Sequence, residues 1–420
     1  MFSDPFDTLG GMRRRLALIP VLVLVVGGCT QGATTATSEV PTVSSSTQFA
    51  VADDVGDLPG RLAILDEDGS ISVIDPDGSN RIEITDGSDG SVAYFQPIWS
   101  PDSGSVAWGQ IGSDGLSVGI GDIGGGDARF IPMSDLPFYL YWSPDSESVG
   151  ALRNGAGGTI EFELVDVSEG TTTVRGQGAP FYFSWSPEGD ELVAHIESRR
   201  FETVSQGEGS KDLGPTDPGY LAPFWTEAGI FHLVSDELVV ETDQSGTTPL
   251  LSVPGPVAFV VNEQGTRVAV QSIGEDGSVT VGLQGIPEIA LNSVVVFEVA
   301  TGEVETVSGS PAVGFYWSGD GESLLAFLPT GSSGEVTPLV WRSGSGTLEL
   351  APFTPAGSYF RDVLPFFPQY AQSLSYWSPD GSAFAYTGEV DGQRGVWVQR
   401  LNSTGPTLVS DGSWVVWSSG

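Results

Sequence analysis

The sequence predicts an all-β chain folded as a single closed β-propeller of eight blades, with seven as the alternative count. Three observations carry that expectation. A phrase built on Trp-Ser-Pro-Asp-Gly recurs along residues 61–420. Beyond the apolar stretch near the N-terminus, no segment keeps a helical period over about ten residues. The final strand-like run, Trp414 to Gly420, ends on the phrase itself, whereas three strand-like runs near the start have no such phrase before them.

The clearest copies of the phrase run from Ile98 to Asp102, Tyr141 to Asp145, Ser184 to Gly189 and Tyr376 to Gly381. Weaker copies run from Phe224 to Gly229 and Tyr316 to Gly321, and Val260 to Gly265 has lost the tryptophan but keeps the turn. The anchors Trp99, Trp142, Trp185, Trp225, Val261, Trp317, Trp377 and Trp417 follow one another at about 36 to about 60 residues, mostly near 40. That is the spacing of four-stranded propeller blades. Each anchor marks a blade; merging the Val261 unit with a neighbour gives the lower count.

The residue types fit the role. Proline fixes φ at the second position of a tight turn, aspartate bonds back to the backbone, and glycine relieves the closing strain. The run before each turn is apolar at successive positions, as a strand covered on both faces requires. The tryptophan is therefore read as packing between blades rather than as a ligand platform. Further strands follow the turns, such as Ala383 to Tyr386 and Val396 to Gln399. At the start, Arg61 to Leu65, Ser70 to Ile74 and Arg81 to Thr85 make three strands that need a fourth. Trp414 to Gly420 supplies it, which closes the ring and removes its open edges. These phrases resemble the repeats of TolB-type and related WD-like bacterial propellers across nearly all of residues 61–420. The resemblance implies the fold; it implies no activity, because propellers host binding, scaffolding and catalysis alike.

The N-terminus reads as targeting rather than fold. Arg13, Arg14 and Arg15 precede the apolar run Leu16 to Val26, which is too short to span a bilayer and suits a signal peptide. Val26-Gly27-Gly28-Cys29 resembles a bacterial lipobox, with valine where leucine is more usual. That resemblance implies cleavage before Cys29 and acylation of its thiol; Met12 is an alternative start. Cys29 is the single cysteine, so no intramolecular disulfide forms. Residues 1–28 are expected to be the signal peptide and 29–60 a flexible Ser/Thr-rich tether that buries too little to fold. Residues 61–420 are the propeller domain. The expected location is the cell envelope, outside the cytoplasmic membrane and held by lipid alone.

Charge narrows the partners. With 16 basic and 54 acidic residues the formal charge is −38, which repels nucleic acid and anionic headgroups. Lys211 is the only lysine, a pattern we attribute to coding bias.

Catalytic signals are sparse. His195 and His232 each sit in an apolar strand and read as packed histidines. No zinc-ligand spacing, nucleophile elbow, phosphate-binding lysine motif or haem-attachment motif occurs. The turns Asp66 to Gly69 and Asp75 to Asn80 are hairpin connections rather than calcium loops, which need a longer ligand spacing. No metal and no cofactor is therefore expected.

Three insertions remain: Gly207 to Tyr220, Gly274 to Asn292, and Pro352 to Ser373. They are expected in links between blades or between second and third strands, gathered on the face opposite the Trp-Ser-Pro turns. The third is the most aromatic and is read in two ways. It is either a plug over the ring or a surface for an unknown protein or envelope component, with Tyr359, Phe360, Arg361, Asp362, Phe366, Phe367, Gln369 and Tyr370 as its residues. The expected function is a non-catalytic binding or scaffold module. The alternatives are a carboxylate-based enzyme in the channel (a glycan hydrolase or lyase, or a quinone-dependent dehydrogenase) and a small-molecule or sugar sensor.

Overall fold

A computed structural model describes residues 55–87, 90–207, 209–242, 244–253, 255–274, 289–331 and 334–420. Cys29 and most of the Gly274 to Asn292 insertion lie outside the described residues. The strands form eight four-stranded antiparallel sheets, so the ring has eight blades rather than seven. We number them from the blade that joins the two ends.

Blade 1 combines Leu62–Leu65, Ile71–Ile74 and Ile82–Glu83 with Trp414–Trp417. Leu62 pairs with Trp417 and Leu65 with Trp414, so the closing strand is innermost, as the sequence requires. The innermost strands of blades 2 to 7 are Ala93–Trp99, Pro137–Trp142, Phe181–Trp185, Phe224–Thr226, Val257–Val261 and Gly314–Trp317. Each contains its anchor residue. The fourth strands lie outermost and are the most exposed, as in Ser210–Asp212 and Gly346–Glu349.

The phrase works at atomic scale. In blade 3 the Ser143 hydroxyl donates to Asp145 Oδ1 at 2.5 Å and accepts from Ser148 N at 3.0 Å. Asp145 Oδ1 also accepts from Glu147 N at 3.0 Å. Blades 7 and 8 repeat this with Ser318/Asp320 and Ser378/Asp380. In blade 2 the Ser100 hydroxyl, then the Gly104 N–H, hold the Asp102 carboxyl below its ordinary pKa.

The indoles join the blades. The ring N–H of Trp99 donates to Val416 O, that of Trp142 to Ile98 O, and that of Trp185 to Tyr141 O. Trp317 donates to Val260 O and Trp377 to Tyr316 O. In every case the acceptor is the carbonyl just before the preceding blade's anchor, at 2.9 to 3.4 Å. A buried indole of about 200 Å² contributes on the order of 5 kcal/mol by leaving water, and its hydrogen bond about 1 kcal/mol. Burial thus supplies the energy, and the hydrogen bond fixes how one blade sits on the next.

Three joints depart from this pattern. Blade 6 carries Val261, which has no N–H to donate. Trp225 of blade 5 is half-buried, and its backbone N–H donates to Ser184 Oγ at 2.9 Å. Between blades 8 and 1 the Trp417 indole turns to Pro59 O at 2.9 Å, while its backbone N–H donates to Ser375 O at 2.7 Å.

The carboxylates of the turns Asp66 to Gly69 and Asp75 to Asn80 find partners within the protein. Asp66 is buried and receives Arg81 at 2.9 Å together with Ser70 and Ser72, and Asp75 receives Arg61 at 3.0 Å. Among the described residues no group of three or more His, Cys, Asp or Glu is arranged to hold a metal. No described helix is long and apolar enough to cross a membrane.

Removing Trp414–Gly420 takes away an innermost strand and the acceptor of the Trp99 indole. The loss of at least about 5 kcal/mol is expected to lower the melting midpoint of the whole domain in one cooperative calorimetric transition. An unchanged midpoint refutes the closure.

Candidate functional site

The third insertion does not sit in a link. It interrupts the innermost strand of blade 8. Thr354 and Pro355 pair with Glu389 and Gly388, and the strand resumes only where Trp377 bridges Phe384. Gly388 makes the lower half possible, since a Cβ there would lie 2.4 Å from Thr354 O. Between the halves the chain turns into the channel as three short helical pieces: a π turn Tyr359–Val363, a 3-10 turn Leu364–Phe366 and an α turn Phe367–Tyr370. Pro365 and Pro368 sit in the first turns of the latter two, where a missing N–H costs nothing, and they prevent one continuous helix.

This insertion reaches the whole ring. Gln369 behaves like an added strand on blade 4. Its Oε1 accepts from Phe183 N, and its Nε2 donates to Phe183 O, both at 2.8 Å. The same Nε2 donates to Tyr139 Oη of blade 3 at 2.9 Å. The Tyr370 hydroxyl lies 3.0 Å from Phe138 O of blade 3 and 3.1 Å from Gln96 Oε1 of blade 2. Gln372 Nε2 donates to Pro223 O, at the start of blade 5. Phe367 meets Phe315 of blade 7 edge-on with centroids 4.9 Å apart, and the α turn packs on Val257–Val261 of blade 6. The Tyr359 hydroxyl is 3.2 Å from that of Tyr316, in space left by Gly314, where a Cβ would lie 2.5 Å away. Ser358 Oγ donates to Ser413 O, next to the closing strand. Burial pushes the phenols of Tyr139, Tyr316, Tyr359 and Tyr370 up, so they remain neutral donors.

The residues read as one surface therefore divide. Tyr359, Phe367, Gln369 and Tyr370 are buried against the ring. Phe366 is 43% exposed, Phe360 is half-buried on the Tyr359 ring, and Arg361 is exposed in an ion pair with Asp362 at 2.8 Å. Beside the insertion lies a cavity of about 20 Å³ bordered by Tyr359, Tyr376, Tyr386 and Trp414, room for roughly one water.

The other insertions follow different rules. Within Gly207 to Tyr220, Ser210–Asp212 is the outer strand of blade 4, so the preceding turn lies on the Trp-Ser-Pro face. Only the stretch after it forms the link to blade 5. The second insertion does join the second and third strands of blade 6, Arg267–Ser272 and Val294–Glu298. Of the first insertion, only the stretch after Asp212 thus falls on the expected rim, and residues 275–288 of the second lie outside the described residues. A groove of about 460 Å³ between blades 6 and 7 was not foreseen. Arg267, Glu298 and Trp341 line it, but Arg267 is spent on Glu298 and Glu322.

Fold and plug together define a closed, channel-filled eight-bladed β-propeller. Solved structures similar to this chain include TolB from Acinetobacter baumannii, at 15% identity and TM-score 0.40, covering 70% of this chain and 64% of that one. The chain thus spans less than two thirds of that TolB structure. A eukaryotic initiation factor matches at 12% identity and TM-score 0.52, over 85% of this chain and 98% of its own. Oligogalacturonate lyase from Vibrio parahaemolyticus matches at 13% and 0.49, over 82% and 98%. At these identities the likeness is one of fold. No family model and no curated protein matches the sequence.

Gln369→Ala leaves the buried Phe183 N–H and C=O without partners, at about 1–3 kcal/mol each. Denaturant unfolding is expected to show a loss of about 2–6 kcal/mol, with faster amide exchange at Phe183. Wild-type stability in this variant contradicts the bracing role.

Proposed function

We propose that the protein is a lipid-anchored, extracytoplasmic, non-catalytic propeller that holds a protein partner or envelope component through the exposed part of its insertion. The observation that carries this reading is the filled channel. The space where a propeller would house a substrate is taken by Phe367, Gln369 and Tyr370, while Phe366 and Arg361 of the same segment are left to solvent. An exposed aromatic beside an arginine is the pairing that anchors protein interfaces. The charge of −38 favours a partner with basic groups and disfavours nucleic acid.

Two experiments test the two halves. Cys29→Ala should move the full-length protein from the membrane to the soluble fraction and abolish incorporation of labelled palmitate. Retention of both in the variant removes the anchor. For the surface, Arg361→Ala/Phe366→Ala should change folding stability by less than about 1 kcal/mol, as exposed positions do. Recovery of co-purifying envelope species by the detergent-solubilised protein should fall about tenfold, as for loss of a contact of about 1.4 kcal/mol. Equal recovery by wild type and variant rejects the surface.

A further inference from the structure

Blades 6 and 7 leave a groove of about 460 Å³ between their outer strands, and no residue of the aromatic insertion borders it. One wall is the outer half of blade 6. Its third and fourth strands, Val294–Glu298 and Val304–Ser308, contribute Val296, Glu298, Val304 and Glu305, and Glu303 stands just before the fourth. The other wall is Trp341, near the end of the blade 7 strand Glu335–Arg342, with the turn Ser343–Gly344 after it. Arg267 closes the inner end. It binds Glu298 at 2.8 Å within blade 6 and reaches Gly321 O and Glu322 of blade 7 at 2.9 Å.

Two unmet demands share this groove. Its single cation, Arg267, is taken by Glu298 and Glu322, so the exposed carboxylates of Glu303 and Glu305 have no counter-charge there. Trp341 is 2% exposed, and its indole N–H has no acceptor. The neighbouring indole of Trp317, edge-on to it at 6.0 Å, donates to Val260 O. Among the described residues only Trp108 shares the unpaired state, and it lies enclosed over Gly119 and Gly121, whereas Trp341 borders open space. A buried N–H without an acceptor has given up its water for nothing, so a ligand that brings an oxygen to it binds with an advantage.

We propose that this groove binds an extended peptide segment with arginine or lysine at alternate positions. Glu303 and Glu305 flank Val304 and stand about 7 Å apart along the chain, which is the spacing of alternate side chains on any extended peptide. The aliphatic stems of those side chains lie on Val296, Val304 and Trp341 while their charged heads reach the two carboxylates. A peptide carbonyl supplies the acceptor that the indole lacks. A polyamine carries the charges but no acceptor, and so meets half of the demand. The formal charge of −38 draws cations to the whole surface, and the carboxylate spacing and the indole select this groove. The site is separate from the exposed part of the insertion and does not depend on it.

The test is calorimetric titration of the full chain at physiological ionic strength, where weak long-range attraction is screened. The probes are acetyl-Gly-Arg-Gly-Arg-Gly-amide, the same peptide with glutamine for arginine, and spermidine. The arginine peptide should bind saturably and one-to-one, and the other two at least about tenfold more weakly. Glu303→Gln/Glu305→Gln should weaken the arginine peptide about tenfold without lowering the melting midpoint. Asp127→Asn/Glu169→Gln removes the same charge from exposed positions in other blades and should change binding by less than about twofold. Trp341→Phe deletes the indole donor and should weaken binding about fivefold. Absence of saturable binding overturns the proposal, as do spermidine binding as tightly as the peptide, equal weakening by the two acidic pairs, or unaltered affinity in folded Trp341→Phe. Should Trp341→Phe fail to fold, the acidic pairs and the spermidine titration still decide.

Discussion

An indole N–H reaching back to the carbonyl that precedes the last blade's anchor is the contact from which the ring is built. It requires a tryptophan at the end of the innermost strand, a tight turn directly after it, and an apolar strand ahead of it. The Ser-Pro-Asp-Gly part meets the second requirement by locking serine, aspartate and the following backbone into one hydrogen-bonded unit. Sequence phrase and blade geometry are the same fact at two scales.

Eight innermost strands expose eight inner backbone edges to the channel. Unpaired N–H and C=O groups there need water or protein partners. The insertion from blade 8 supplies some of these, most directly through the Gln369 amide on Phe183. It also brings Tyr359, Val363 and Tyr370 into one apolar cluster and Phe367 into another, so a single segment ties together two halves of the core. Bracing of this kind explains why so aromatic a stretch is ordered.

Blade count, ring closure and the packing role of the tryptophans were legible because each rests on a local pattern repeated many times. Even Val261 could be placed, because its turn outlived its indole. The insertion was legible as unusual but not as an interruption of a strand: the lower half of that strand is only Thr354–Pro355, too short to show alternation. Its helical turns were hidden because Pro365 and Pro368 restart the period every few residues. The division between buried and exposed members of the aromatic group was unreadable for a similar reason. Tyr359 and Phe360 are adjacent and chemically alike, and only the direction of a π turn separates them. That His195 stacks on Tyr220 and His232 on Phe201 depends on how blades 4 and 5 pack, which no linear spacing between residues reveals.

The described chain begins beside the closing strand: Pro59 O takes the Trp417 indole, and Arg61 O takes the Ser418 N–H at 2.9 Å. From there Leu62–Leu65 runs down the blade between Ile71–Ile74 and Trp414–Trp417, antiparallel to both. A pull directed along the axis of this strand would load it lengthwise. The load then falls in shear on all its flanking hydrogen bonds together instead of peeling them one at a time. Mechanically, a two-sided antiparallel pairing at the seam of the ring resists such a lengthwise load better than an edge strand would.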